Sequence, residues 1–148
     1  MMEKNFVVRD YQEKDYQSLN ELWQITGLGG AHRGDDDKII AHSLAIGGRL
    51  IVIENTETDE IIGSSWMTFD GRRIHLHHIG VKPEFQNQGL GKLLTKESLK
   101  HAKEKGYQIK LEVHQTNKKA IELYKNMGFT FLGDYDVYII RDLNSINI

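Results

Sequence analysis

Between residues 72 and 114 the hydrophobic pattern changes period twice, and this limits the chain to few architectures. RRIHLHHIGV at 72–81 alternates as a strand does, and Pro83 ends it. Leu90, Leu93, Leu94, Ser98 and Ala102 then recur at helical spacing, up to Gly106. YQIKLEVH at 107–114 returns to a period of two, with Ile109, Leu111 and Val113 on one face. Strand, helix and strand in this order predict a βαβ unit, its two strands parallel and joined by a right-handed crossover. Strict alternation in the first strand places His75 and His77 on one face with Ile79 and Val81, and His78 on the other.

The flanking sequence adds elements on both sides. NFVVRD at 5–10 reads as a strand, and Asp15 stands where it would cap a helix with Leu19, Leu22 and Trp23 on one face. ITGLGGAHRGDDD at 25–37 is loop, followed by a helix over 36–46 that Gly47-Gly48 stop. RLIVIEN at 49–55 and EIIGSSWMTF at 60–69 read as a hairpin, with Asp70-Gly71 turning into the βαβ unit. Beyond that unit, Asn117 caps a helix that groups Ala120, Ile121 and Tyr124 and stops at Gly128. FTFLG and VYIIRDL read as two closing strands. The order is β-α-α-β-β-β-α-β-α-β-β: a mixed α/β fold, taken as one domain over residues 1–148.

Composition removes several function classes. The chain has no cysteine, which excludes disulfides, thiolate nucleophiles and zinc–thiolate sites. Its net charge of -2, with dispersed Lys and Arg, argues against nucleic acid as the main partner. No apolar run reaches the roughly 18 residues of a membrane span, and MMEKNFVVRD has no targeting character, so a cytoplasmic protein with no membrane partner is expected.

QNQGLGK at 86–92 opens the helix of the βαβ unit. It fails as a Walker A loop, because Leu93 follows Gly91-Lys92 and Gln86 stands at the first glycine position. It fails as a dinucleotide fingerprint, because Leu94 replaces the third glycine and YQIKL carries no ribose-binding acid. Two readings remain: a tight turn with close helix packing, or a helix N-terminus opened by glycine to an anion.

VKPEFQNQGLGKLL resembles the acetyl-CoA-binding motif of the GNAT superfamily of N-acetyltransferases, with Gln86, Gly89 and Gly91 at its marked positions. LEVHQTNKKAIELYKNMGF at 111–129 resembles the family's next segment at the family's distance. The resemblance implies an acyl-CoA N-acyltransferase fold, with a largely antiparallel central sheet, flanking helices, and a slot where the fourth and fifth strands splay. It implies acetyl-CoA as cosubstrate and no metal. The amides of Gln86, Asn87, Gln88, Gly89, Leu90 and Gly91 would hold the pyrophosphate, with Lys92 as an outer contact. Ile79, Gly80 and Val81 would offer backbone groups to the pantetheine arm, and Asn117 would touch it. Tyr124 would bind near the thiol and protonate the departing thiolate. Relatives commonly form dimers, so a homodimer through the aromatics of VYIIRDL is the oligomer the resemblance suggests.

Direct acetyl transfer needs a neutral amine, an oxyanion donor and a stabilised thiolate, and no covalent nucleophile. Two candidates for the base stay open. Glu112 projects away from the face of Leu111 and Val113, and its segment is similar to that of acetyltransferases acting on protein N-termini. His75 and His77 in RRIHLHHI resemble the paired histidines of the arylalkylamine acetyltransferases. Paired histidines also fit a metal, but no carboxylate stands at a recognisable spacing to complete such a site. Asp35, Asp36 and Asp37 exceed what one helix cap needs, so an acidic rim for a cationic acceptor, a small polar amine or a peptide N-terminus, is expected.

Overall fold

The computed structural model describes residues 5–148. Five strands form one sheet in the order β1-β2-β3-β4-β5. They are β1 (Phe6–Asp10), β2 (Arg49–Asn55), β3 (Glu60–Phe69), β4 (Ile74–Val81) and β5 (Ile109–Leu111). The first three pairings are antiparallel, and β4 with β5 is parallel. Helices α1 (Tyr16–Thr26) and α2 (Asp37–Ala45) precede β2, α3 (Leu90–Lys105) crosses from β4 to β5, and α4 (Lys118–Asn126) follows β5. The sheet is therefore largely antiparallel and flanked by helices, as the resemblance implies.

Alternation along β2 assigns the helices to opposite faces. Leu50 and Val52 pack with Leu19, Leu22 and Trp23 of α1 and Ile40 of α2. Ile51 and Ile53 pack with Leu90, Leu94 and Ala102 of α3. Each fully buried side chain of this size stabilises the fold by about 1.5–3 kcal/mol, so both faces are firmly covered over β2 and β3.

Four boundaries differ from the sequence reading. Asp15 does not cap α1; its carboxylate takes two bonds from Arg9, at 2.7 and 2.8 Å, and the amide of Gln12 at 2.8 Å. Burial opposes ionisation there, yet Arg9 and the Gln12 amide outweigh it and hold the carboxyl below its usual range. β4 begins at Ile74 rather than residue 72, because Asp70 draws the amides of Arg72 and Arg73 into the turn, each at 2.7 Å. β5 spans Ile109–Leu111 within the expected 107–114, since Leu76–Leu111 is the last pair of its ladder. FTFLG and VYIIRDL form no strand: Phe131 is 84% exposed and Tyr138 89%. A strand persists only in a ladder, and the three residues of β5 at the sheet edge are fewer than the 5–6 of a usual strand.

Candidate functional site

The site is organised by a bulge in β4. Ser64 pairs with Gly80 and Trp66 with His77, so two steps along β3 oppose three along β4. The added residue lies at His78–Ile79, and His78 takes φ +46°, which a side chain seldom adopts. The bulge reverses the facing expected from alternation. His78 now sits edge-on to Trp23 at 4.7 Å and to Trp66 at 5.4 Å, on the α1/α2 side. His77 lies beside Trp66 at 6.1 Å, and His75 stacks on His77 at 4.4 Å. Ile79 and Val81 pack on the α3 side. The three histidines therefore line one face and do not share it with Ile79 and Val81.

A buried polar chain fixes the bulge. Ser64 Oγ donates to the His78 carbonyl at 2.7 Å and accepts the Trp23 indole N–H at 2.9 Å. Trp23 in turn stacks on Trp66 at 5.5 Å. Ser64→Ala leaves both a carbonyl and an indole N–H without partners, at a cost of about 1–3 kcal/mol for each. A loss of about 2 kcal/mol or more in urea unfolding is expected; a change under about 0.5 kcal/mol would show that the bulge does not depend on this hydroxyl.

Past Leu76 and Leu111 the two parallel strands part company: β4 runs on to Val81, while residues 112–114 have no ladder partner. The glycine loop begins where β4 ends. Gln86 Nε2 donates to the Val81 carbonyl at 2.9 Å, fastening the loop to the strand. Asn87 has φ +62°, and its side-chain oxygen accepts from Lys119 Nζ of α4. Gly89, at φ +82°, precedes α3 in the left-handed conformation that favours glycine. Gly91 has no such reason: a Cβ there would meet nothing nearer than Leu123 Cδ2 at 4.0 Å. Close helix packing thus does not explain the second glycine. α2 and α4 are capped by the side chains of Asp36 and Asn117, whereas no side chain caps α3. Among the described residues, therefore, no capping side chain takes the amides of Leu90, Gly91 and Lys92 at the start of α3.

Tyr124 projects from α4, which Asn117 Oδ1 caps by accepting from the Ala120 amide at 3.3 Å. The Tyr124 ring is 8% exposed and meets Phe129 edge-on at 5.7 Å. Burial pushes its hydroxyl up to about 12, so the group carries its proton at neutral pH. Glu112 lies one residue beyond β5 and is exposed. His75 and Lys110 are paired across the parallel ladder, which ends at the next pair, so Glu112 lies just past its last rung. Burial lowers His75, and the Glu112 charge partly offsets it.

His77 accepts or donates one hydrogen bond, Nε2 to Thr68 Oγ1 at 2.9 Å. Burial first, then the neighbouring His75 and His78, push it down to about 4. The folded state thus resists a proton that the unfolded chain accepts near 6.5. Stability conferred by this neutral histidine is complete above that value and is lost as pH falls from about 6.5 to about 4. His75 and His101 are lowered by burial in the same direction. Denaturant midpoints should fall across this window, and His77→Gln should flatten part of the slope. An unchanged slope in the variant would contradict the burial effect.

The three aspartates divide their roles. Asp35 Oδ2 lies 2.7 Å from His78 Nε2, joining the α1–α2 loop to the bulge. Asp36 Oδ1 caps α2 by accepting the Ile39 amide at 2.9 Å, and exposed Asp37 is the first residue of that helix. Only Asp37 stays free for the outer rim that the sequence suggested. Sequence spacing missed the Asp35–His78 contact; its one signal was the His77-His78 doublet, which breaks strand alternation just before Gly80. Among the described residues no group of three His, Asp or Glu side chains is placed to hold a metal, and no helix is long and apolar enough to cross a membrane.

The chain belongs to the acetyltransferase (GNAT) family, whose model matches residues 9–129. It is 44% identical over 64 residues to the thialysine N-epsilon-acetyltransferase of Sus scrofa, a match covering 43% of this chain and 38% of that protein. The matched stretch thus spans well under half the length of such curated relatives. Its fold is similar to a GNAT-family acetyltransferase of Streptococcus pneumoniae, at 25% identity and TM-score 0.71 over 93% of this chain and 99% of that one. It is also similar to a GNAT-family acetyltransferase from Elizabethkingia anophelis with acetyl-CoA bound, at 22% identity and TM-score 0.59, over 85% and 76% of the two chains.

Proposed function

We propose that the chain transfers the acetyl group of acetyl-CoA to a primary amine by direct attack. The observation that carries this reading is the start of α3, which no side chain caps and where a Cβ on Gly91 would meet only Leu123 Cδ2, at 4.0 Å, among the described residues. The amides from Gln86 to Gly91 hold the pyrophosphate, helped by the helix dipole and by Lys92 outside them. Backbone groups of Ile79, Gly80 and Val81 align the pantetheine arm, and Asn117 borders it. The bulge leaves backbone at His78–Ile79 outside the ladder, where an amide can meet the oxyanion. Tyr124, protonated in its buried setting, delivers a proton to the leaving thiolate. Glu112 or His77 receives the amine proton in the reading that the family resemblance supports.

The acceptor we propose is a small polar amine, in keeping with the pig relative named for the ε-nitrogen of thialysine. An amine panel containing lysine analogues, polyamines, arylalkylamines and short peptides, assayed with acetyl-CoA by thiol release, tests the function. Release that requires an amine and saturates with it is expected. Acetyl-CoA that binds while no amine raises release would make the chain a binding module without turnover.

A further inference from the structure

We infer that His78 is the group that accepts the amine proton, and that Asp35 is the residue that positions it. This rests on the proposed acetyl transfer and changes who performs one of its steps. Neither residue stood out by spacing; the bulge and the α1–α2 loop bring them together.

The contact is built from several elements at once. The His78 ring is held edge-on between Trp23 of α1 and Trp66 of β3, so it has little freedom to turn. Ser64 anchors its backbone carbonyl at 2.7 Å. Asp35 reaches Nε2 at 2.7 Å from a loop that approaches closely only because Gly29 has no side chain. A Cβ on Gly29 would lie 2.8 Å from both Asp35 Oδ2 and His78 Nε2. Gly29 also takes φ +150°, so the loop itself is shaped around this pair. An unusual φ at His78 is maintained by this surrounding structure, as is common where a side chain is aimed for chemistry.

Chemistry follows from the geometry. With Nε2–H donating to Asp35, a neutral ring presents Nδ1 as its acceptor. Nδ1 makes no hydrogen bond among the described residues, and unlike His75 Nε2 it is not sealed from solvent. The Asp35 carboxylate stabilises the imidazolium that forms when Nδ1 takes a proton. The rival groups are less suited. His77 is tied to Thr68 and held neutral by burial, and Glu112 is exposed beyond the end of β5. Among the described residues, the charged and titratable groups facing His78 are Asp35 from the loop, His77 at 6.2 Å between ring centres, and His75 behind His77. Among the described residues Asp35 is the one carboxylate in hydrogen-bond contact.

The step balances without any further reagent. R–NH3+ gives a proton to His78 Nδ1, and its nitrogen lone pair forms the C–N bond at the thioester carbonyl. The C–S bond breaks, and the thiolate takes the Tyr124 proton. His78 releases its proton to solvent, and the acylated nitrogen gives up its second proton, which restores Tyr124. The net products are the amide, coenzyme A thiol and one proton.

The test compares kcat/KM against pH for the wild-type chain, His78→Gln, Asp35→Asn, His77→Gln and Glu112→Gln, with acetyl-CoA affinity measured by calorimetry in each. His78→Gln should lose roughly tenfold at pH 7 with acetyl-CoA affinity unchanged, lose the acidic limb and partly recover at high pH, whereas Asp35→Asn should lose activity with acetyl-CoA affinity unchanged while its acidic limb moves rather than disappears. His77→Gln and Glu112→Gln should keep that limb. An active wild type beside a His78→Gln variant with an intact limb would overturn this assignment alone. A wild type that binds acetyl-CoA but acetylates no amine would overturn the reaction and this assignment with it. Imidazole nitrogen shifts of the wild-type chain supply a reading that needs no variant. His78 should carry its proton on Nε2, and an Nδ1–H tautomer would contradict the role.

Discussion

Replacing Tyr124 by Phe is expected to lower turnover roughly 10²-fold or more while acetyl-CoA affinity changes little. The ring stays, and with it the edge-on contact to Phe129 and the packing of a residue that is 8% exposed. What leaves is a hydroxyl that makes no hydrogen bond among the described residues, so no protein group is stranded by its removal. A structural role would therefore predict a nearly silent substitution. A catalytic role predicts a defect in kcat, because the thiolate must depart without a proton. Burial pushes this phenol up to about 12, which keeps the proton available at every working pH. Pre-steady-state mixing, which isolates the chemical step from product release, is the measurement; an unaltered single-turnover rate would reduce Tyr124 to packing.

Gly91→Asp should separate folding from binding more sharply. Glycine inside a helix costs about 1 kcal/mol, and an acidic residue in the first turn meets the helix dipole favourably. A Cβ at this position meets only Leu123 Cδ2, at 4.0 Å, so no clash opposes the change. Thermal stability should hold or rise. Acetyl-CoA affinity should fall roughly a hundredfold, about 2.7 kcal/mol, because a carboxylate then occupies the space of the pyrophosphate and repels it. Calorimetric titration with coenzyme A checks both parts. Gly89 is the poorer probe, since its φ of +82° would confound binding with backbone strain.

The sequence pattern carried the fold wherever burial is two-sided. β2 and β3 have the expected ends because Leu50, Ile51, Val52 and Ile53 alternate between two cores, and α3 ends at Gly106 because its stripe does. Asn117 and Asp36 cap as their residue types suggest, although Asp15 prefers Arg9. At the histidines the error has a single cause: a period of two cannot count an inserted residue. The bulge at His78–Ile79 flipped the histidines relative to Ile79 and Val81, and it created the Asp35–His78 contact across 43 residues of sequence. The closing strands failed for a different reason. Alternation in VYIIRDL signals the capacity to pair, whereas a strand also needs a partner edge, and β5 offers three residues. For the proposed site, the glycine loop and Tyr124 were singled out through the family resemblance. Which of them faces open space could not be named, because a missing Cβ looks the same in sequence whether protein or ligand fills its place.

The central claim is that acetyl-CoA lies on the amides at the start of α3 and along the part of β4 that has left β5. Amide chemical-shift mapping during an acetyl-CoA titration tests it residue by residue in the unaltered chain. The largest perturbations should fall on Gln86 through Lys92, with a second group at Ile79 to Val81, and NAD or ATP should not reproduce both. Perturbations concentrated elsewhere, or a loop that stays silent while acetyl-CoA binds, would contradict the account.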